Sequence, residues 1–184
     1  MSDLDEKCLD AFPEWLRSLG EDIEAVLAVA EADGLSDGSK RQLVAGINYL
    51  FKSLDLIPDG IDDIGYLDDA FVLRVASDLV GTDARDAAGA DQAAAIEALA
   101  AQKSLVSEFL GDEIYDRLAR YTKDLCQSSA RGRSVDDIVT SAAVWREFAS
   151  EVRNFAKSYE SPSFSREEKN LKKLRAFFEA KLPR

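Results

Sequence analysis

Apolar residues recur at every third or fourth position through most of the chain, and no stretch alternates with period two for long enough to argue a strand. The first periodic run predicts a helix over Pro13–Ala32, with Phe12, Leu16, Leu19, Ile23, Val26, Leu27 and Ala30 on one face. Pro13 suits a first turn and Gly34 a stop, while Gly20 inside the run is expected to bend or split the helix. A second helix starts near Ser36–Ser39, which offer capping hydroxyls, and buries Leu43, Val44, Ile47, Leu50, Phe51 and Leu54. Pro58 disfavours helical geometry at Ile57 and ends it. A third runs over about Tyr66–Val80, with Phe71, Val72, Val75, Ala76 and Leu79 inward and Gly81 as its stop.

The remainder continues in the same way. Asp83–Ala90 is small, Ala-rich and charged, and reads as a linker or irregular helix and as the candidate seam. Helices are expected over about Asp91–Leu110 and Asp112–Gln127, then from the capping pattern Ser134-Val135-Asp136-Asp137 to about Tyr159. A last helix starts at Ser165-Arg166-Glu167-Glu168, read as another capping box, and runs to Leu182. The expected fold is an all-α, single-domain helical bundle of six or seven helices over residues 1–184.

Composition narrows what such a bundle can do. The chain has 184 residues, enough for a core without disulfide staples. Net charge is −12 and uneven: residues 1–92 carry 21 acidic and 7 basic side chains, the rest 14 and 16. The acidic half would be repelled by phosphate backbones and anionic lipid, which speaks against nucleic acid as a partner and limits membrane contact to a peripheral one. There is no histidine, which removes Ser-His-Asp and Cys-His nucleophiles and histidine-ligated metal hydrolases. Cys8 and Cys126 form no metal or redox motif. The acidic start, Met1-Ser2-Asp3-Leu4-Asp5-Glu6, is the reverse of a signal peptide, and no apolar run is long enough to span a bilayer. A cytoplasmic location is expected.

The most distinctive run is Tyr49-Leu50-Phe51-Lys52-Ser53-Leu54-Asp55-Leu56-Ile57-Pro58-Asp59, followed by Gly60-Ile61-Asp62-Asp63-Ile64-Gly65-Tyr66-Leu67-Asp68-Asp69. Asp55-Leu56-Ile57-Pro58-Asp59 with Gly65-Tyr66-Leu67-Asp68-Asp69 at this spacing resembles the signature of the YkvA-like family, domain of unknown function 1232. The resemblance covers about residues 44–79. It implies a helix–loop–helix hairpin, over about 44–80, and brings no activity with it. The chain departs from the family pattern where Ser53-Leu54-Asp55 replaces a Pro-containing step, and where Gly60-Ile61-Asp62-Asp63 replaces an apolar loop. Lys52, Arg74 and Asp78 fit a water-soluble member better than a membrane-associated one.

Six aspartates lie within fifteen residues: Asp55, Asp59, Asp62, Asp63, Asp68 and Asp69. Two readings compete. In one, Asp55, Asp59, Asp68 and Asp69 gather around a hard cation, Mg²⁺ or Ca²⁺, although the spacing is not that of an EF-hand. In the other, which ordinary turn chemistry favours, they accept from loop amides, form an Asx-turn, cap the third helix and complement its dipole. Lys52 and Arg74 are the nearest basic residues to offset their repulsion. Asp62 and Asp63 stand where relatives are apolar and are the candidate interaction surface. No catalytic residue and no resident cofactor is assigned.

The functional expectation is a non-enzymatic helical interaction module, with a protein partner or self-association. The alternatives are a carboxylate metal-binding protein or metal-dependent hydrolase, and peripheral membrane attachment through the basic last helix. That helix carries Arg166, Lys169, Lys172, Lys173, Arg175, Lys181 and Arg184 beside apolar Leu171, Leu174, Phe177, Phe178 and Leu182. Docking of this apolar face onto the protein's own acidic half is the favoured reading. Trp15 and Trp145 are both expected in the core.

Overall fold

A computed structural model describes residues 2–53, 55–61 and 63–184. Two sequence expectations, the buried Leu54 and the interaction residue Asp62, lie outside the described residues. The architecture is all-α. Helices run over Asp3–Ala30 (α1), Asp37–Asn48 (α2), Leu67–Ala87 (α3), Ala90–Ala101 (α4), Lys103–Leu110 (α5), Asp112–Asp124 (α6), Val135–Thr140 (α7), Ala142–Ser158 (α8) and Glu168–Lys181 (α9). Single turns of 3₁₀ helix follow α2 and α6.

Among the described residues nine α-helices stand where six or seven are expected, because two of the longer runs break. Gln102, with φ −73° and ψ −13°, separates α4 from α5. Ser141 leaves helical geometry and accepts from the Val144 N–H, so it ends α7 and caps α8. Against that, Gly81 kinks α3 (φ 52°, ψ −132°) without ending it, and the helix continues through Ala87. Most of the expected linker over 83–90 is therefore helical. The first helix begins ten residues before Pro13. Ser2 and Asp5 form a capping box there, leaving Pro13 in the helix interior. Gly20 does not split α1. It lies against α8, where an added Cβ would sit 3.1 Å from the Ala156 carbonyl oxygen.

The chain also contains a ribbon too short for alternation to reveal. β1 (Ser129–Ala130) pairs antiparallel with β2 (Arg133–Ser134) around Arg131 and Gly132, both at positive φ.

One continuous apolar cluster joins residues from α1 through α9. At its centre Phe12, Trp15, Phe71, Phe109 and Phe178 interlock, with Phe71 stacked on Phe178 at 5.1 Å and edge-on to Phe12 at the same distance. Thus α9 is docked, as the amphipathic pattern predicts: Leu171, Leu174, Phe178 and Leu182 are buried in the common core. Arg117 of α6 fastens its end by donating to the Glu179, Leu182 and Pro183 carbonyls. The expected capping box at its start is absent. Glu167 occupies the N-cap without a side-chain bond. Trp145 is only half-buried, under the Lys40 ammonium at 4.4 Å, and so is not a core residue. Among the described residues no helix is long and apolar enough to cross a membrane.

Candidate functional site

The family-like segment folds as a hairpin of α2 and α3 joined by an irregular loop. Its hub is Tyr49, at the end of α2. The Tyr49 hydroxyl donates to Asp68 Oδ2 at 2.7 Å and accepts from the Leu56 N–H at 2.7 Å. Asp68 Oδ2 also accepts from the Ile57 N–H at 2.9 Å. The Tyr49 hydroxyl thereby satisfies the Leu56 amide and the Asp68 carboxylate the Ile57 amide, tying both helices to the loop just before Pro58. All of these groups are buried, where an unmade hydrogen bond costs about 1–3 kcal/mol.

The second half of the loop is strained and clamped. Asp63 (φ 70°) and Tyr66 (φ 65°) adopt left-handed geometry, uncommon for any residue but glycine and costly for a bulky ring. Four contacts hold them. The Tyr66 ring packs edge-on to Tyr159 at 5.6 Å and against Phe155 at 6.2 Å. Asp63 Oδ1 accepts from the Ser165 N–H, in the segment between α8 and α9. The loop closes on itself through the Gly65 N–H to the Ile61 carbonyl. Gly65 is required there: a Cβ would come within 2.3 Å of the Asp59 carbonyl oxygen. Gly65→Ala is expected to lower stability by about 1–3 kcal/mol, the range for overpacked sites, read by urea unfolding. Unchanged stability would mean that the turn is looser than drawn.

The aspartates divide among different tasks. Asp63 does not cap α3, whose N-cap is Tyr66 with no side-chain bond, but anchors the 159–167 segment. Asp59 stands at the exposed loop apex, yet burial at its base raises its pKa while the neighbouring Tyr66 hydroxyl pulls the other way. Asp55 is half-buried and pushed up to about 6, first by desolvation and then by Asp59, with Lys52 opposing. Asp68 and Asp69 are 0% and 3% exposed. Desolvation raises both well above the usual carboxylate range, and Asp68 raises Asp69 further. Asp55 Oδ1, Asp68 Oδ1 and Asp69 Oδ2 are buried with no hydrogen-bond partner among the described residues. Turn and cap chemistry accounts for Asp68 Oδ2 and Asp63 but not for these three oxygens. Among the described residues no three carboxylate or thiol groups are gathered so as to hold a metal ion by themselves.

The basic residues expected to neutralise this end do so only in part. Lys52 reaches the Tyr121 hydroxyl at 3.3 Å and lies over that ring, acting on Asp55 alone among the buried acids. Arg74, expected to offset the aspartates of the loop, is 1% exposed. It is engaged away from the loop. Its guanidinium covers Trp15 at 4.1 Å and bonds Asp22 of α1 at 3.2 Å, Gln102 at 2.7 Å and the Ala70 carbonyl at 3.0 Å. Sequence reasoning missed the Asp22–Arg74 pair, because only the packing of α1 against α3 brings these two positions together. It also missed Tyr49 as the hub, because a tyrosine on an apolar stripe looks like core.

No curated protein and no solved structure matches the chain. Residues 39–74, from the first turn of α2 into α3, match the model of a family described as Protein of unknown function (DUF1232), and it is this hairpin that carries the family likeness.

Proposed function

We propose that the protein is a non-enzymatic helical interaction module whose acidic hairpin end is the recognition surface. The observation that supports this best is the bracing of Asp63 and Tyr66, in the second half of the hairpin loop, against the rest of the protein. Two non-glycine residues hold left-handed geometry there, braced by Phe155, Tyr159 and Ser165. A loop held in one shape loses little entropy on binding, so its exposed apex, Pro58-Asp59-Gly60, suits docking to a partner. Its charge selects a basic protein surface over nucleic acid or anionic lipid. The apolar face of α9 is committed to the core, which makes membrane insertion through that helix the weaker reading. Two free cysteines, one of them buried, fit a reducing, cytoplasmic setting.

Photo-cross-linking inside cells tests this. Gly60 is exposed, and a Cβ there meets nothing within 4 Å, so a benzophenone amino acid is tolerated. Gly38, equally open at the start of α2, is the control. Position 60 should yield a discrete protein adduct that position 38 does not, and Asp59→Arg should abolish it. Equal labelling at both positions would remove the hairpin end as the recognition surface.

A further inference from the structure

An acidic recognition end calls for a basic counterpart, and the fold builds one on α8. An open cavity of about 310 Å³ lies along the outer side of that helix, where Trp145, Arg146, Arg153, Lys157 and Glu31 of α1 meet. Lys40 of α2 closes over Trp145, 4.4 Å from the ring centre. Glu31 is taken up by Arg153. Lys40, Arg146 and Lys157 pair with no carboxylate among the described residues, and Arg146 bonds only the Ala142 carbonyl of its own helix. In a chain of net charge −12 this is a local reversal of sign. Further along α8 the signs balance, because Glu147 and Glu151 share the neighbouring cavity with Arg146 and Arg133. A half-buried tryptophan among arginines is the composition of an interface centre, where Trp and Arg carry most of the binding energy.

The hairpin apex has the complementary chemistry. Pro58, Asp59 and Gly60 are exposed, so a carboxylate stands beside a bare proline ring. Asp59 can answer Arg146 and Lys157, while Pro58 lies on Trp145, as prolines do in aromatic-lined grooves. A chain does not present this apex to its own groove. Tyr66 seats the hairpin loop on Phe155 and Tyr159. Those two follow Arg146 and Ser150 by about two and a half helical turns, which places them on the opposite side of α8 from the groove. We propose that the partner of the acidic hairpin end is a second copy of this chain, the Pro58-Asp59 apex of one molecule docking in the α8 groove of the other. This rests on the recognition role of the hairpin end and names its partner. Two different surfaces meet, so the contact is heterologous, and it either closes reciprocally or extends to further copies.

Sedimentation velocity on purified protein tests this. Association should rise with concentration at low ionic strength and fall in about 1 M salt, which screens exposed charges beyond about 3 Å. Asp59→Lys reverses the apex, and Arg146→Glu with Lys157→Glu reverses the groove. All three positions are exposed, so both variants are expected to fold. Each should weaken self-association at least about tenfold, because like charges then face each other. Mixed together, the two variants should associate again, since the unaltered groove of the first meets the unaltered apex of the second. Asp86→Lys, an exposed reversal on α3 with the same change in net charge, should leave association unchanged. Monomer at every concentration would overturn the proposal, as would an equal loss in Asp86→Lys or a mixture that stays monomeric. If purified protein is monomeric while position 60 still captures a discrete protein in cells, self-docking fails and the recognition role stands. Self-association that survives Asp59→Lys but not the groove variant would remove the hairpin from the contact and overturn the proposal.

Discussion

Arg74→Ala is expected to lower the free energy of unfolding by about 3–5 kcal/mol, the range for breaking a buried ion pair from one side. The residue is 1% exposed and makes three bonds at once, to α1, to Gln102 at the α4–α5 break and to its own helix. Truncation leaves a hole beside Trp15 and the Asp22 carboxylate without its cation. The remaining charge is the costly part. Burial already raises the Asp22 pKa despite the guanidinium, so desolvation outweighs attraction even in the intact pair. The same balance lowers the Arg74 pKa to about 10. The pair is therefore weak evidence of net stabilisation but a strong point of vulnerability. The double substitution Arg74→Met with Asp22→Leu removes both charges and keeps volume, and should recover most of the loss. In a domain of this size the single change corresponds to a fall in Tm of roughly 10 °C. Chemical denaturation of the two variants checks both halves. A loss below about 1 kcal/mol for Arg74→Ala would show that water reaches the pair.

Stability should fall as pH rises from about 4 to 8 in chelator-containing buffer, the reverse of the usual trend for carboxylates. Asp55 moves from 3.8 to about 6 in the folded protein, and Asp68 and Asp69 are displaced upward as a coupled pair. A group whose folded pKa is raised binds more protons in the native than in the unfolded state within that window. Unfolding free energy then decreases with pH. The contribution is fully present below the unfolded value and is lost as pH passes through the folded ones. Each unit is worth about 1.4 kcal/mol. Screening at half-buried Asp55 reduces its share, so the buried Asp68–Asp69 pair dominates the decline. Acids whose pKa is lowered by hydrogen bonds to serines, such as Asp5, Asp83 and Asp137, act in the opposite direction. Asp69→Asn should flatten the profile and raise stability at about pH 8. A profile identical to wild type would mean that Asp69 is solvated.

The helical reading was legible because period-three and period-four apolar spacing survives whatever a helix packs against. Leu171, Leu174, Phe178 and Leu182 announced a docked last helix, and they are buried. The hairpin was legible through a fixed string of turn residues, and its match spans α2 to α3. Element boundaries were less so. Ser141 resembles any helical serine until its backbone leaves the α region, and Gly81 resembles a stop although the chain resumes helix beyond it. Neither choice is local: each depends on what the neighbouring helices allow. Pro13 misled for a related reason. A proline inside α1 forfeits one backbone bond, which packing of a long buried face can outweigh.

The same division runs through the site. Sequence alone determined that this protein is all-α, acidic in its first half, without histidine chemistry, and marked by aspartates clustered at one hairpin. Each of these follows from residue identity or short-range spacing. Only the tertiary structure decided which aspartates are bonded and which are not. Asp68 and Asp69 are adjacent in sequence and similar in burial, yet Tyr49 and Ile57 reach only Asp68. Arg74, five residues beyond Asp69, turns to Asp22 of α1 instead of the loop. Charge neutralisation depends on which groups meet across 20 to 50 residues of chain, and one-dimensional spacing holds no record of those distances.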